Sequence, residues 1–197
     1  MSPYKNKLDH KVIYEIVETS SRVLDLGCGS GDLLDLLVKS KKIKAQGIEL
    51  SNDAIHACVE KGLSVFHSDI DSGLPYYPDQ SFDYVILNQS MQEVKQVEAV
   101  IEEALRVGKK AIIGFPNFAN IQDRALLFFQ GRAPVSSALP YEWYSTPNLR
   151  FFSIKDFRDY CAQKGYKILA ARYLGKQREV YFLPNLFAQN AIFVITK

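Results

Sequence analysis

The chain has 197 residues, of which 47% are hydrophobic and 23% charged, as in an ordinary globular protein. Its net charge of +2, and the lack of any apolar run near ~18 residues, argue against nucleic acid or a membrane as partner. The length predicts a single domain, which we expect to cover residues 1–197.

The cysteines predict neither a disulfide framework nor a metal site. Cys28, Cys58 and Cys161 are odd in number and widely spaced, and no Cys-x-x-Cys or Cys/His cluster accompanies them. The opening segment Met1–Lys7 is not followed by an apolar stretch of the signal-peptide type. We therefore expect a cytoplasmic protein without a bound metal.

Helical and strand patterns alternate from residue 8 to residue 116. Apolar residues on one stripe predict an amphipathic helix over residues 8–19. Further helices are predicted from the turn after Gly31 to about Val38, from an N-cap at Ser51 to Gly62, and over 94–107. Strands are predicted at 22–26, 45–50, 63–67, 82–88 and 109–115. This alternation is typical of βαβ units, so we expect a parallel sheet with the strand C-termini and the ligand along one edge.

The alternation stops in residues 117–150, which we expect to form an inserted segment rich in aromatic residues. Tyr141, Trp143 and Tyr144 have three interpretations: a lid over a ligand, a docking surface for a partner, or a small satellite core. A long stretch without a strong pattern is uncommon unless it is functional, which favours the first two. A helix near 153–164 and strands at about 166–174 and 191–196 complete the predicted elements.

A glycine-rich turn follows the first predicted strand. The sequence Val23-Leu24-Asp25-Leu26-Gly27-Cys28-Gly29-Ser30-Gly31 predicts a buried strand, a turn, and a helix whose N-terminus faces a ligand. The glycines permit positive φ and let a ligand approach the backbone closely. Glu49 ends the next strand, where its carboxylate can hold the two hydroxyls of a ribose. As a plain connection between strand and helix, the same turn would have no function.

The details of this turn favour S-adenosylmethionine (SAM) over a dinucleotide. A dinucleotide fingerprint needs a third glycine where this chain has Asp32, and it aims backbone amides at a pyrophosphate. Asp25 would repel a phosphate, whereas it complements the ammonium and sulfonium of SAM. A nucleotide-binding dehydrogenase is therefore the disfavoured alternative. We expect SAM, or its demethylated form S-adenosylhomocysteine (SAH), at Asp25, Gly27, Cys28, Gly29, Gly31, Glu49, Leu50 and Asn88.

The sequence assigns no catalytic residue. Methyl transfer from a sulfonium depends mainly on orienting the acceptor and excluding water, so the lack of a triad does not exclude an enzyme. Glu93, after the fourth strand, is able to act as a base, but we expect a solvated carboxylate that opens the next helix. His10 and His56 are expected on solvated helix faces, and His67 near the ligand edge.

The glycine turn, the ribose acid and the final pair of strands resemble the class I SAM-dependent methyltransferases. The resemblance implies a doubly wound, Rossmann-like α/β fold with strand order 3-2-1-4-5-7-6 and strand 7 antiparallel. It also implies that Asp69 accepts the exocyclic amine of adenine while Ile70 contacts the ring. Judged from the residues alone, Asp69 is equally well an exposed acid in a turn, so both interpretations stay open.

Five segments carry a closer resemblance: Arg22–Gly31, Gly62–Val65, Asp79–Leu87, Phe115–Phe118 and Leu139–Asn148. They are similar to the bacterial MetW family of methionine-biosynthesis proteins, and the last two are the most specific. The resemblance implies a partnership with MetX, the homoserine O-acyltransferase, in making the acylated homoserine used for methionine synthesis. It does not settle whether the protein methylates anything. The alternative is a catalytically active SAM-dependent methyltransferase acting on an unidentified small molecule.

Overall fold

A seven-stranded sheet forms the centre of the computed structural model, which describes residues 8–197. The strands are β1 Arg22–Leu26, β2 Lys44–Glu49, β3 Val65–His67, β4 Phe82–Asn88, β5 Gly108–Pro116, β6 Lys167–Leu174 and β7 Asn190–Thr196. They lie in the order β3-β2-β1-β4-β5-β7-β6. Strand β7 is antiparallel to both of its neighbours, and the other neighbouring pairs are parallel. The predicted strand order and the antiparallel last strand are confirmed.

Helices cover both faces of this sheet. Within the described residues they are α1 Leu8–Ile16, α2 Asp32–Lys41, α3 Asn52–Glu60, α4 Val97–Val107, α5 Ile121–Ala125, α6 Ile154–Lys164 and α7 Pro184–Phe187. Helices α3 and α6 begin with serine caps, of which the one at Ser51 was predicted. The Ser51 hydroxyl accepts the third amide of α3, and Ser153 forms a capping box with Asp156 at the start of α6.

The inner strands β1, β4, β5 and β7 are largely buried on both faces, which explains their nearly continuous apolar sequences. In β1, Val23 and Leu24 point to opposite faces and both are fully buried. Val23 belongs to the core formed with α1 and α2, where Leu37 is also fully buried. Leu24 belongs to the core formed with α4 and α6, which includes Phe157.

Several element boundaries differ from the prediction. Helix α4 begins at Val97 rather than at residue 94, because Met91–Glu93 forms a separate short 3₁₀ turn. The Asp71 carboxylate accepts the amides of Lys95 and Gln96, just ahead of α4, at 2.8 to 3.1 Å. Helix α5 ends at Ala125 and continues as a π-helical turn, and the prediction lacks α7 altogether.

The parallel strands β1, β2, β4 and β5 all end at the same edge of the sheet, where the inserted segment also passes. No helix within residues 8–197 is long and apolar enough to cross a membrane. Residues Met1–Lys7, on which the expected absence of a signal peptide depends, lie outside the described part of the chain.

Candidate functional site

A cavity of about 920 Å³ opens at the edge where the parallel strands end. Residues at or just after the ends of β1, β4 and β5 line it. Further lining comes from the first turns of α1 and α2, from segment 137–148, from the end of β6 and the residues after it, and from the start of β7. The described lining residues are Leu8, Asp9, His10, Asp25, Gly27, Cys28, Gly29, Ser30, Asp32, Leu33, Asn88, Gln89, Gln92, Glu93, Pro116, Ser137, Ala138, Pro140, Tyr141, Asn148, Leu174, Gly175, Lys176, Gln189 and Asn190.

The three glycines of the turn have different surroundings, although their φ values of 75°, 54° and 74° are all positive. A Cβ on Gly29 would meet nothing within 4 Å. A Cβ on Gly27 would come within 2.8 Å of Ser90, and one on Gly31 within 2.5 Å of Leu63. Gly29 therefore leaves space for a ligand beside the backbone, while Gly27 and Gly31 allow the turn to pack against its neighbours.

Glu49 is held beside the glycine turn by main-chain hydrogen bonds. Its carboxylate accepts the amides of Gly29 at 2.8 Å, Leu50 at 2.8 Å and Ser51 at 2.9 Å. The carboxylate therefore faces the turn, although Glu49 does not itself line the cavity. Because a carboxylate offers about four acceptor positions, one remains for an incoming hydroxyl.

Asp25 supplies a buried carboxylate at the end of β1. It is 3% exposed, it lines the cavity, and its side chain is hydrogen-bonded to none of the residues that the structure describes. Burial raises the pKa of Asp25 to about 7, and the nearby charge of Glu49 adds to the rise. A cationic group in the cavity would favour the ionised form, so the electrostatics of this position suit an ammonium.

The segment after β4 folds back over the end of β1. The Asn88 amide donates to the Asp9 carboxylate at 2.8 Å, and the Ser90 hydroxyl donates to the Leu26 carbonyl at 2.8 Å. Gln89 has a positive φ of 60°, which is unusual for a residue other than glycine. Gln92 is 4% exposed and donates through its amide nitrogen to the Gln89 carbonyl at 2.8 Å. The segment therefore presents carboxamide side chains to the cavity in a fixed arrangement.

The residues expected around adenosine lie outside the cavity, just after β2 and β3. Leu50 is 59% exposed, and Ile70 is half-buried against the core. Asp69 accepts the amide of Asp71 at 2.9 Å and caps the short 3₁₀ turn Ile70–Ser72. This bond gives Asp69 a structural role in the turn, and its adenine contact stays a prediction.

The predicted cofactor residues thus divide into two groups of five. Those that line the cavity are Asp25, Gly27, Cys28, Gly29 and Asn88, and those that do not are Gly31, Glu49, Leu50, Asp69 and Ile70. Because Glu49 bonds to Gly29, the two groups meet at the glycine turn.

Two predictions about titratable residues are wrong. His10 does not lie on a solvated face: it is half-buried and lines the cavity, because the first turn of α1 reaches the ligand edge. Glu93 does not open the next helix, since it ends the 3₁₀ turn and α4 starts four residues later. It is exposed at the cavity, where partial burial and the charge of Glu49 raise its pKa. His56 is exposed, as expected.

Several lining residues come from other elements and were not predicted from the sequence. Asp9 lies on α1, Lys176 follows β6, and Asn190 begins β7. No motif marks these positions. The predicted strand order places β6 and β7 near β5 but does not identify which of their residues reach the cavity, and it says nothing of α1.

Two of the three cysteines meet beneath the glycine turn as free thiols. The sulfurs of Cys28 and Cys58 are 3.9 Å apart, and Cys58 donates to the Gly29 carbonyl at 3.2 Å. Burial raises the pKa of both thiols, so they remain protonated and serve as packing for the turn. Among residues 8–197 no group of three or more His, Cys, Asp or Glu side chains is arranged to hold a metal ion.

The inserted segment has an inner and an outer side. Ser137, Pro140 and Tyr141 are among its residues that line the cavity. Trp143 and Tyr144 are 75% and 72% exposed, and their rings meet edge to face with centroids 5.6 Å apart. The segment therefore covers part of the cavity and also presents aromatic side chains outward.

Main-chain hydrogen bonds tie the inserted segment to the loop after β4. The amides of Leu149 and Arg150 both donate to the Gln92 carbonyl, at 2.8 and 3.1 Å. The Arg150 guanidinium also donates to the Lys95 carbonyl at 2.8 Å. A shift of the loop after β4 would therefore also shift the segment that carries the exposed aromatic pair.

Comparison with known proteins identifies the family. The family model described as methionine biosynthesis protein MetW matches residues 7–195. The chain belongs to the MetW family. A curated relative from Rhodopirellula baltica, the bifunctional methionine biosynthesis protein MetXA/MetW, is 39% identical over 165 residues, which are 79% of this chain. The match spans only 26% of the length of that relative.

Solved structures place this MetW chain in the class I methyltransferase fold. A SAM-dependent methyltransferase from Thermotoga maritima, described as a possible histamine N-methyltransferase, has a TM-score of 0.68 at 20% identity. The likeness covers 96% of this chain and 88% of that one. A SAM-dependent methyltransferase from Archaeoglobus fulgidus gives 0.69 at 18% identity, over 96% and 91% of the two chains. At these identities the likeness shows the fold alone.

One of the two MetW-specific segments has a structural role behind the cavity. Asn117, in the segment Phe115–Phe118, is fully buried, and its amide donates to the carbonyls of Asn185 and Ala188 at 3.2 and 2.9 Å. It thereby joins the end of β5 to α7 and to the start of β7. The other segment, Leu139–Asn148, contains cavity-lining residues together with the exposed aromatic pair.

Proposed function

We propose that this MetW chain binds SAM at the glycine turn and acts with the homoserine acyltransferase MetX in methionine biosynthesis. The observation that carries SAM binding is the pairing of open space beside Gly29 with a buried Asp25 carboxylate that has no hydrogen bond to residues 8–197. An ammonium is the complement of such a carboxylate. The fold of the solved relatives supports the same ligand.

The residues fit SAM or SAH in two parts. Asp25, Gly27, Cys28, Gly29 and Asn88 would hold the methionyl end inside the cavity. Glu49 would hold the ribose through its remaining acceptor position, with Gly31 keeping the turn in place. Leu50, Asp69 and Ile70 would form an open groove for adenine, in which the second oxygen of Asp69 accepts the exocyclic amine.

The partnership with MetX is supported by the relative in which the two names belong to one chain. The outward aromatic pair Trp143–Tyr144 is the part of the inserted segment suited to docking, because exposed Trp and Tyr dominate interface hot spots. We infer that the single domain 1–197 uses the inner side of its segment 117–150 as a lid and the outer side as the docking surface. Hydrogen bonds on the Gln92 carbonyl would couple SAM binding to MetX binding.

MetX activity measured with and without this chain, and with and without SAM, tests the proposal. We expect the chain to change MetX activity and SAM to alter that change. Glu49→Ala removes the carboxylate that would bind the ribose. This variant should still change MetX activity, but SAM should no longer alter that change. If neither the chain nor SAM alters MetX activity, the partnership is wrong.

A second candidate is a SAM-dependent methyltransferase acting on a small molecule. The size of the cavity favours it, because the nucleoside residues lie outside its 920 Å³ and leave room for an acceptor. Incubation with methyl-labelled SAM and a metabolite extract would reveal a labelled product that depends on Asp25. The MetX role alone predicts no such product.

A further inference from the structure

We propose that the cavity contains a second subsite, next to the methionyl position, for a short amino- or hydroxycarboxylic acid. The proposal rests on the proposed function, since it assumes that SAM or SAH occupies the glycine-turn side. It names the chemistry of what binds beside the nucleoside, either as a methyl acceptor or as a regulatory ligand.

The cavity has room for a second small molecule beside SAM. Glu49, Leu50 and Asp69 lie outside the cavity, so the adenosine of SAM would not fill it. The methionyl chain beside Asp25 occupies the β1 side. The lining from β4, β6 and β7 stays open to another small molecule.

The carboxamide oxygen of Gln92 is a hydrogen-bond acceptor that no described residue satisfies. Gln92 is 4% exposed and lines the cavity, and its amide nitrogen is committed to the Gln89 carbonyl at 2.8 Å. That bond fixes which atom of the carboxamide is the oxygen. Its Oε1 is buried and has no hydrogen-bond partner among the described residues. A buried acceptor left unpaired costs free energy, so a ligand with an N–H or O–H donor would be favoured there.

Lys176 contributes a positive charge to the lining of the cavity. Lys176 is exposed where it lines the cavity, and it makes no ion pair with any residue between 8 and 197. An ammonium in this position favours a carboxylate on the ligand. Asn148, Gln189 and Asn190 also line the cavity and are able to donate and accept, while the lining carboxylates of Asp9 and Glu93 favour an amino group on the same ligand.

A ligand with one carboxylate and one hydrogen-bond donor would complement both residues. L-Homoserine is a suitable probe, because its amino and hydroxyl groups are donors and its carboxylate is the anion. The analogue 3-aminopropan-1-ol, which lacks the carboxylate, isolates the contribution of that group.

The experiment is a calorimetric titration of the full chain, first with SAH and then, once saturated, with L-homoserine. We expect L-homoserine to bind the SAH complex, and 3-aminopropan-1-ol to bind at least tenfold more weakly. Lys176→Gln should weaken L-homoserine at least fivefold without changing the weak binding of 3-aminopropan-1-ol. Gln92→Met, which keeps the side-chain length, should weaken both compounds. Lys155→Gln, an exposed lysine on α6 away from the cavity, is the matched control and should change neither.

The outcomes separate the two proposals. If SAH does not bind, the proposed function fails. If SAH binds but L-homoserine does not, or if neither Lys176→Gln nor Gln92→Met weakens it, the second subsite is overturned while SAM binding stands. The SAH titration of each variant also shows that its glycine turn is folded.

Discussion

At the scale of single residues, the site depends on two carboxylates in contrasting surroundings. Glu49 accepts three main-chain amides, whereas Asp25 is buried without a hydrogen bond to any described residue. Burying the Asp25 carboxylate costs free energy, and an ammonium bound beside it would lower that cost. Asp25 consequently gives two predictions that can be measured.

The affinity for SAM should increase with pH. The pKa of Asp25 is about 7 in the free protein, so most molecules have a protonated Asp25 at pH 6. Binding of a cation beside Asp25 must displace that proton. We expect the association constant to fall about tenfold per unit below pH 7 and to level off above it. Calorimetry between pH 5.5 and 8.5 measures this, and Asp25→Asn should show weak, pH-independent binding. An affinity that decreases with rising pH would contradict the assignment.

The stability of the free protein should change with pH in the opposite sense. The folded chain keeps the Asp25 proton up to about pH 7, while the unfolded chain loses it near the ordinary pKa of 3.8. Asp25 therefore lowers the free energy of unfolding as the pH rises from about 4 to 7, by on the order of a few kcal/mol. In urea unfolding at pH 5 and pH 8, Asp25→Asn should lose less stability on going to pH 8 than the wild type. Equal losses would show that the carboxyl ionises as easily folded as unfolded.

At the scale of elements, the glycine turn places residues that pack against the fold beside Gly29, where we propose that the ligand binds. Gly31→Ala would drive a Cβ into Leu63 and Cys58, at 2.5 and 2.8 Å, on a backbone with φ of 74°. Gly29→Ala meets no atom within 4 Å and would only strain the backbone. We expect Gly31→Ala to cost about 3 kcal/mol or more of unfolding free energy, and Gly29→Ala about 1 kcal/mol.

The effects of the two substitutions on SAM affinity should not follow their effects on the free energy of unfolding. Gly29→Ala places a methyl group in the space assigned to the ligand, so its SAM affinity should fall at least tenfold while the fold persists. Thermal unfolding and a SAM titration of both variants measure the two effects. If Gly29→Ala binds SAM as tightly as the wild type, the ligand does not bind at this turn.

The elements also show what could be predicted from sequence. Strand β4 is predicted with the observed bounds, because an apolar run between polar flanks has one interpretation in a sheet covered on both sides. The hydrogen bonds of Glu49 were beyond prediction, since they depend on how β2 and the turn meet. The lining by Asp9 and Lys176 was also beyond prediction, because it depends on contacts between elements far apart in the chain. Helix α7, with four residues, is too short for a periodic pattern.

At the scale of the whole molecule, the inserted segment connects the cavity to the surface. If its outer side docks MetX, Trp143→Ala combined with Tyr144→Ala should weaken MetX binding at least tenfold, because such side chains contribute about 2 kcal/mol or more at hot spots. SAM affinity should change less than threefold. Tyr76→Ala is the matched control: Tyr76 is 93% exposed and precedes β4, at the opposite edge of the sheet. Equal effects of the two changes on MetX binding would place the docking surface elsewhere.

The most direct test of the central claim is a crystal structure of the protein grown with SAH, together with a titration of the free chain with SAH. We predict one SAH per chain, with its amino group beside Asp25, its backbone approach at Gly29 and a ribose hydroxyl bonded to Glu49. A titration without heat of binding, or a ligand that leaves both carboxylates untouched, would contradict the account.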